Sequence, residues 1–231
     1  MEMELDSTGA TFRVMWPHVG HVHVGLSKVR PPIPRRPPEL HLDLVLTDEV
    51  VDLLEQRVDL AIRIGPLAPS DFVARKLCPM TSVVCASPAY LETRGRPHRP
   101  ADLATHECLL FPIQAYRRWR FRARTGRPSR KRPHPAIEEV SVRGRCVIST
   151  AFALRQCAAG GMGLALLPRW VVADDLRAGR LVDVFSDHDV TATEFENHVW
   201  LVYPSRTHLP LKVRSFVELL ERELSPAPWE R

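Results

Sequence analysis

No stretch of this chain approaches the ~18 consecutive apolar residues of a membrane-spanning helix. Its start, MEMELDSTGATFRV, is acidic and lacks the apolar run of a secretory leader. A cytoplasmic location is therefore expected, with no membrane partner. Cysteine is scarce: five residues, Cys78, Cys85, Cys108, Cys146 and Cys157, with no pair separated by two residues. An odd number with that spacing argues against a disulfide framework and against a CxxC-type zinc site, and fits free thiols in a reducing compartment. HExxH, GxSxG and a P-loop lysine are all missing, so no enzyme is expected. The ten histidines are scattered. His21 and His23 share one face of an extended segment, but two ligands without a third do not make a metal site. Neither a metal nor a cofactor is expected.

What the chain has is enough apolar material for a substantial core. It holds 231 residues, 45% of them hydrophobic and 26% charged, which suits one large folded domain or two small ones. The net charge of +5 is unevenly spread: nine of the 32 Lys and Arg lie between Arg117 and Arg132, with no acid among them. The basic character is thus a local patch.

Periodicity gives the organisation. Thr11–Met15 reads as a short strand. A helix could begin at Val22, but Pro31, Pro32, Pro34, Pro37 and Pro38 follow, and proline in a helix interior removes a donor and costs about 3 kcal/mol. Leu40–Leu46 alternates as a strand does. Thr47 suits an N-cap, with Asp48 and Glu49 in the first turn and Val50, Leu53, Leu54 and Val58 on one apolar face. Val58, Leu60, Ile62 and Ile64 alternate again, and Gly65-Pro66 stops the strand. Further strands are expected at Thr81–Ala86, Cys108–Phe111, Leu164–Leu167, Leu181–Phe185 and Trp200–Tyr203. Helices are expected from Ser87-Pro88 through Leu91, after Ser149 or Thr150 up to Gly160-Gly161, from Pro168 at N1 to Gly179, and from Pro210 through Leu224. Strands alternating with helices imply an α/β fold with mostly parallel sheet.

Three features carry chemistry. In Arg117–Arg124, Trp119 and Phe121 alternate with arginines. Such a strand could hold phosphates and stack bases, or it could be an edge strand with its rings inward and its charges in water. The second reading is preferred, because no nucleic-acid-binding signature accompanies the patch. Ala159-Gly160-Gly161-Met162-Gly163 follows a helix and precedes a strand, the reverse of a dinucleotide fingerprint, and reads as a helix cap and tight turn. Arg63 lies on the polar side of Asp59-Ala61-Arg63 at the end of a strand, where open α/β sheets bind ligands. It is either a carboxylate clamp or an ion-paired surface residue, and spacing alone does not choose.

An ordered set of short motifs resembles the effector-binding domain of LysR-type transcriptional regulators. The set runs through Leu42–Leu46, Val58–Gly65, Val73–Leu77, Cys85–Leu91, Pro100–Leu103, Trp119–Phe121, Ala158–Gly163 with Leu166–Pro168, Gly179–Val182 and Val202–Pro204. The resemblance implies a fold like type II periplasmic binding proteins: two α/β lobes joined by two crossing strands, with an effector in the cleft. Residues 1–9 would be a tail, 10–84 with 203–231 one lobe, and 85–202 the other, crossing near Val83–Ala86 and Trp200–Tyr203. Carried over by position, the effector would meet Pro17, His18, Val19, Thr47, Arg63 and Gly65 from the first lobe, and Phe111, Pro112, Ser149 and Thr150 from the second. Helix starts at Thr47 and Ser149-Thr150 favour an anion.

The resemblance also implies a homo-oligomer, weakened here by the prolines of residues 31–38, and DNA binding through a winged helix-turn-helix ahead of the domain. Only about ten residues precede the match, so sequence-specific DNA binding by this chain is not expected. A solute-binding protein of the same fold is the nearest alternative, but it would need an export signal or lipid-anchor cysteine. A truncated or degraded regulator, a nucleic-acid binder acting through Arg117–Arg132, and an enzyme built on the same kind of cleft are further alternatives.

Overall fold

The computed structural model describes residues 11–16, 41–46, 52–65, 67, 69–124, 136–204 and 210–224. They form two compact units. The chain passes from the first to the second at Cys78–Pro79 and returns at Asn197–His198.

The first unit is built on a sheet of β1 (Thr11–Trp16), β2 (His41–Leu46), β3 (Leu60–Ile64), β4 (Phe72–Pro79) and β13 (His198–Pro204), in the order β2-β1-β3-β13-β4. β1 runs parallel to β2 and β3, and β13 antiparallel to β3. Alternation sorts the side chains onto two faces. Phe12, Val14, Leu60, Ile62 and Leu201 are buried, and the registers Val14↔Leu60 and Ile62↔Leu201 set them on one face. There the last helix, Leu211–Leu224 (here α4), docks with Phe216 edge-on to Phe12 at 5.2 Å. Val213, Phe216, Val217, Leu220 and Leu224 are the buried side of α4, spaced as one helical stripe. The opposite face carries Met15, Ala61 and Val202, packed with Leu53 and Val58.

The second unit holds β5 (Ser82–Ala86), β6 (Cys108–Leu110), β7 (Arg118–Ala123), β8 (Ile137–Ser141), β9 (Cys146–Val147), β10 (Leu164–Pro168), β11 (Val182–Asp183) and β12 (His188–Thr191). Their order is β8-β7-β12-β5-β10-β6-β9, with β11 also on β5. Helices α1 (Pro88–Arg94), α2 (Ala151–Ala159) and α3 (Arg169–Arg177) accompany it. The core gathers Tyr90, Leu103, Trp119, Phe121, Leu164 and Phe185. The Ser87 hydroxyl accepts from Tyr90 N–H at 3.2 Å and so caps α1.

Several expectations need correction. The sheets are mixed: β10 and β12 run antiparallel to β5, and β7 antiparallel to both β8 and β12. Periodicity identifies a strand but not its direction. β4, β8 and β12 were not expected, because FVARKLCP, IEEVS and HDVT lack a clean apolar alternation. The strand expected at Leu181–Phe185 shortens to β11. Pro168 ends β10 and precedes α3 instead of opening its first turn. Leu54 is exposed while Leu53 and Val58 are buried, because Leu53–Arg57 forms turns in which the Asp52 carboxylate accepts from Leu54 N–H at 2.8 Å. The proline segment at 31–38 lies outside the described residues.

Gly144 shows why one loop admits no side chain. A Cβ there would stand 1.6 Å from the Cys108 carbonyl oxygen, and Cys108 N–H donates to Arg143 O at 3.0 Å, which holds the two strands of chain together. Gly144→Ala should therefore destabilise the protein by about 2–3 kcal/mol. A urea midpoint equal to wild type would show that the loop yields.

All five cysteines are free thiols; Cys78, Cys85 and Cys108 are buried. Burial, and then the Glu107 carboxylate, push the Cys108 thiol up to about 12. Burial, then Asp183 and Asp175, push Cys85 up as well. The thiolate is the reactive form, so iodoacetamide at neutral pH should label the partly exposed Cys146 and Cys157 in the native protein and spare Cys85 and Cys108 until unfolding. Mass mapping of a timed reaction checks this; early labelling of Cys85 would contradict it.

Candidate functional site

The second unit brings four of the expected site residues to one end of one sheet. β6 and β9 are parallel neighbours, with Leu110 opposite Val147, and Ile148 N–H continues the ladder to Leu110 O at 2.9 Å. Phe111-Pro112 leaves β6 and Ser149-Thr150 leaves β9, so both pairs stand at the C-terminal ends of adjacent strands. Phe111 is buried, with Tyr116 edge-on at 5.1 Å; Pro112 and Ser149 are exposed. Thr150 has extended backbone, and its Oγ1 accepts from Ala153 N–H at 3.3 Å, which makes it the N-cap of α2. The helix therefore presents its positive end at these strand ends.

In the first unit, Arg63 and Gly65 sit at the C-terminal end of β3. Arg63 is opposite Trp200 of β13. The polar side expected for Asp59-Ala61-Arg63 is in fact a covered face: Ala61 is fully buried, beside Met15 and Val202, and the Asp59 carboxylate accepts from Arg13 N–H at 2.9 Å. Arg63 lies at the border of that face, and burial lowers its pKa from the ordinary arginine value. Burial disfavours the charged guanidinium, so an anion beside it would be stabilising. Gly65 follows with φ +91°, a conformation that favours glycine. Its N–H donates to His198 O at 3.2 Å. Its carbonyl accepts from Trp200 Nε1–H at 2.9 Å. Pro17, His18, Val19 and Thr47 lie outside the described residues.

Sequence reasoning passed over the neighbours of Arg63. His198 and Trp200 share a face by alternation, with their rings 5.7 Å apart, and Lys76 Nζ lies 5.4 Å from the Trp200 ring centre. The alternation of His198-Val199-Trp200-Leu201-Val202 was the available signal, but it becomes informative only once β13 is known to pair with β3. A buried carboxylate was missed too. Asp175 of α3 lies 3.3 Å from Arg155 of α2 and 2.5 Å from Arg180.

The basic strand is resolved by its pairing. β7 is second from the sheet edge, covered by β8, and not the edge strand expected. Trp119 and Phe121 face inward and are buried, so neither ring offers a face to a base. The arginines of β7 and its end meet carboxylates: Arg118 with Glu139 at 3.4 Å, Arg120 with Glu194 at 3.7 Å, and Arg122 and Arg124 with Asp189 at 3.1 and 2.9 Å. Phe195 lies under Arg122, 4.4 Å from ring centre to guanidinium. Among the described residues no group of three or more His, Cys, Asp or Glu is placed to hold a metal ion, and no helix is long and apolar enough to cross a membrane.

Residues 29–225 match the family model described as the LysR substrate binding domain. The chain belongs to this family. An HTH-type transcriptional regulator of Haemophilus influenzae is 33% identical over 82% of the chain and 62% of its own length. The HTH-type transcriptional regulator DmlR of Escherichia coli is 32% identical over 80% of the chain and 56% of its length. The chain thus spans about 60% of the curated relatives it matches. The regulatory domain of CrgA, a LysR-type transcriptional regulator of Neisseria meningitidis, superposes with a TM-score of 0.72 at 26% identity, covering 94% of this chain and all of that one. The α/β, periplasmic-binding-protein-like fold of this LysR substrate-binding domain follows from that match. Its family is one of regulator effector domains and not of enzymes.

Proposed function

We propose that this LysR substrate-binding domain senses a small organic anion on behalf of a LysR-type transcriptional regulator. The observation that carries the reading is Arg63: a partly buried guanidinium at the end of a parallel strand, followed by a glycine turn. Within the second unit, the start of α2 at Ser149-Thr150, beside Phe111 and Pro112, is by itself favourable to an anion, since helix N–H groups and the helix dipole attract negative charge. Pro112 is apolar and exposed beside it, which suits an anion with a hydrocarbon body. Pro17, His18, Val19 and Thr47 belong to the same proposed set through the family resemblance. DNA contact would come from a helix-turn-helix segment of the kind that names the relatives, and self-association from the family's habit. Control of transcription requires that the anion bind one conformation of the protein better than another.

A thermal-shift screen of small carboxylates tests the reading. Acetate, succinate, benzoate and their hydroxylated analogues form the first panel, with matched neutral amides as controls. Carboxylates should raise the melting temperature and the amides should not. A panel in which amides and acids act alike would refute the anion.

A further inference from the structure

We propose that Trp200 is a positioning residue that locks the effector turn at Gly65 to the strand on which the chain re-enters the first unit. The inference rests on the reading of Arg63 as an anion ligand. Four observations converge on this indole. Its Nε1–H donates to Gly65 O at 2.9 Å, a contact between residues 135 apart in sequence. Gly65 N–H donates to His198 O, so β13 binds both polar backbone groups of the turn. Trp200 stands directly opposite Arg63 in the β3–β13 ladder, and opposite residues in an antiparallel pair share a face at close range. Lastly, the ring has His198 at 5.7 Å and Lys76 Nζ at 5.4 Å.

The places of these residues in the chain give the arrangement its meaning. His198 is the first residue after the return at Asn197–His198, and Trp200 comes two residues later. Lys76 lies on β4, two residues before the chain leaves at Cys78–Pro79. One side chain therefore touches both connecting strands and the turn that follows Arg63. Just beyond the ends of β4 and β13, Met80 N–H donates to Asn197 O at 2.9 Å, which ties the two passages of chain again. An anion that pulls on Arg63 displaces the Gly65 turn. Through the indole hydrogen bond and the Lys76 contact, that displacement reaches both strands linking the units. A phenyl ring keeps an aromatic side chain against the cluster of Ala61 and Val202, though a smaller one, and has no N–H to donate.

Trp200→Phe separates anchoring from packing. Amide exchange, followed by proton–nitrogen correlation spectra on the whole chain, should show Gly65 N–H exchanging about fivefold faster in the variant, the loss expected for one hydrogen bond. The Leu164 amide in the second unit should be unchanged, and the melting temperature nearly so. The benzoate and succinate dissociation constants should rise about three- to tenfold. Unchanged Gly65 exchange overturns the proposal, as does faster exchange with undiminished carboxylate affinity. If no carboxylate binds wild type, the reading of Arg63 fails, and Gly65 exchange alone decides the anchor. Should the variant not fold, the wild-type indole resonance decides: a protected Trp200 Nε1–H supports the anchor, and one exchanging as fast as free indole overturns it.

Discussion

Replacing Arg63 by alanine is expected to abolish the stabilisation that carboxylates give this domain. At a free ligand concentration of 100 times Kd, binding to the folded state alone contributes about 2.7 kcal/mol, or roughly 5–10 °C in melting temperature for a chain of this size. Arg63 is the described cation at the end of β3, and a guanidinium presents paired donors that match a carboxylate. Removing it takes away the paired donors proposed to hold the anion. Arg63→Lys should recover only part of the shift, because an ammonium keeps the charge and loses the paired geometry. Differential scanning fluorimetry of the three proteins with the same carboxylate decides the matter. Equal shifts in wild type and Arg63→Ala would end the proposed role.

The largest effect on stability is expected at Trp119. The side chain is almost fully buried in the core of the second unit, and its Nε1–H donates to Tyr116 O at 3.1 Å. Truncation to alanine should cost about 3–5 kcal/mol, combining lost transfer energy with an incompletely filled cavity. The same variant judges the alternative reading of β7 as a base-stacking strand. If Trp119 stacked on nucleic acid, alanine would weaken that binding and leave the fold nearly untouched. If the ring belongs to the core, urea denaturation will show a much lower midpoint. A loss below about 1 kcal/mol would contradict the buried placement, since fully buried aromatics do not leave so cheaply.

The residues themselves announced much of this fold. Leu164–Leu167 is a continuous apolar run and became a central strand flanked by β5 and β6. Ser87-Pro88 and Thr150 marked helix starts, because capping chemistry is local and depends on residues within one turn. β8 and β12 were hidden because their strand character comes from distant partners. Glu139 and Asp189 stand opposite Arg120 and Arg122 of β7 instead of facing a core. Sheet direction was hidden for the same reason: alternation is the same in parallel and antiparallel strands. At the site, the glycine turn and the arginine were visible, and the indole that binds the turn was not. No local pattern connects Trp200 to Gly65; only the pairing of β13 with β3 brings them together. The polar appearance of Asp59-Ala61-Arg63 misled because alanine is small, and it lies between Met15 and Val202 on a face that packs with Leu53 and Val58.

A crystal structure of the domain with the most stabilising carboxylate of the panel would show where the anion sits. The expectation is a carboxylate within hydrogen-bonding distance of the Arg63 guanidinium, beside the Gly65 turn. A carboxylate seated away from Arg63, with the guanidinium engaged elsewhere, would contradict it.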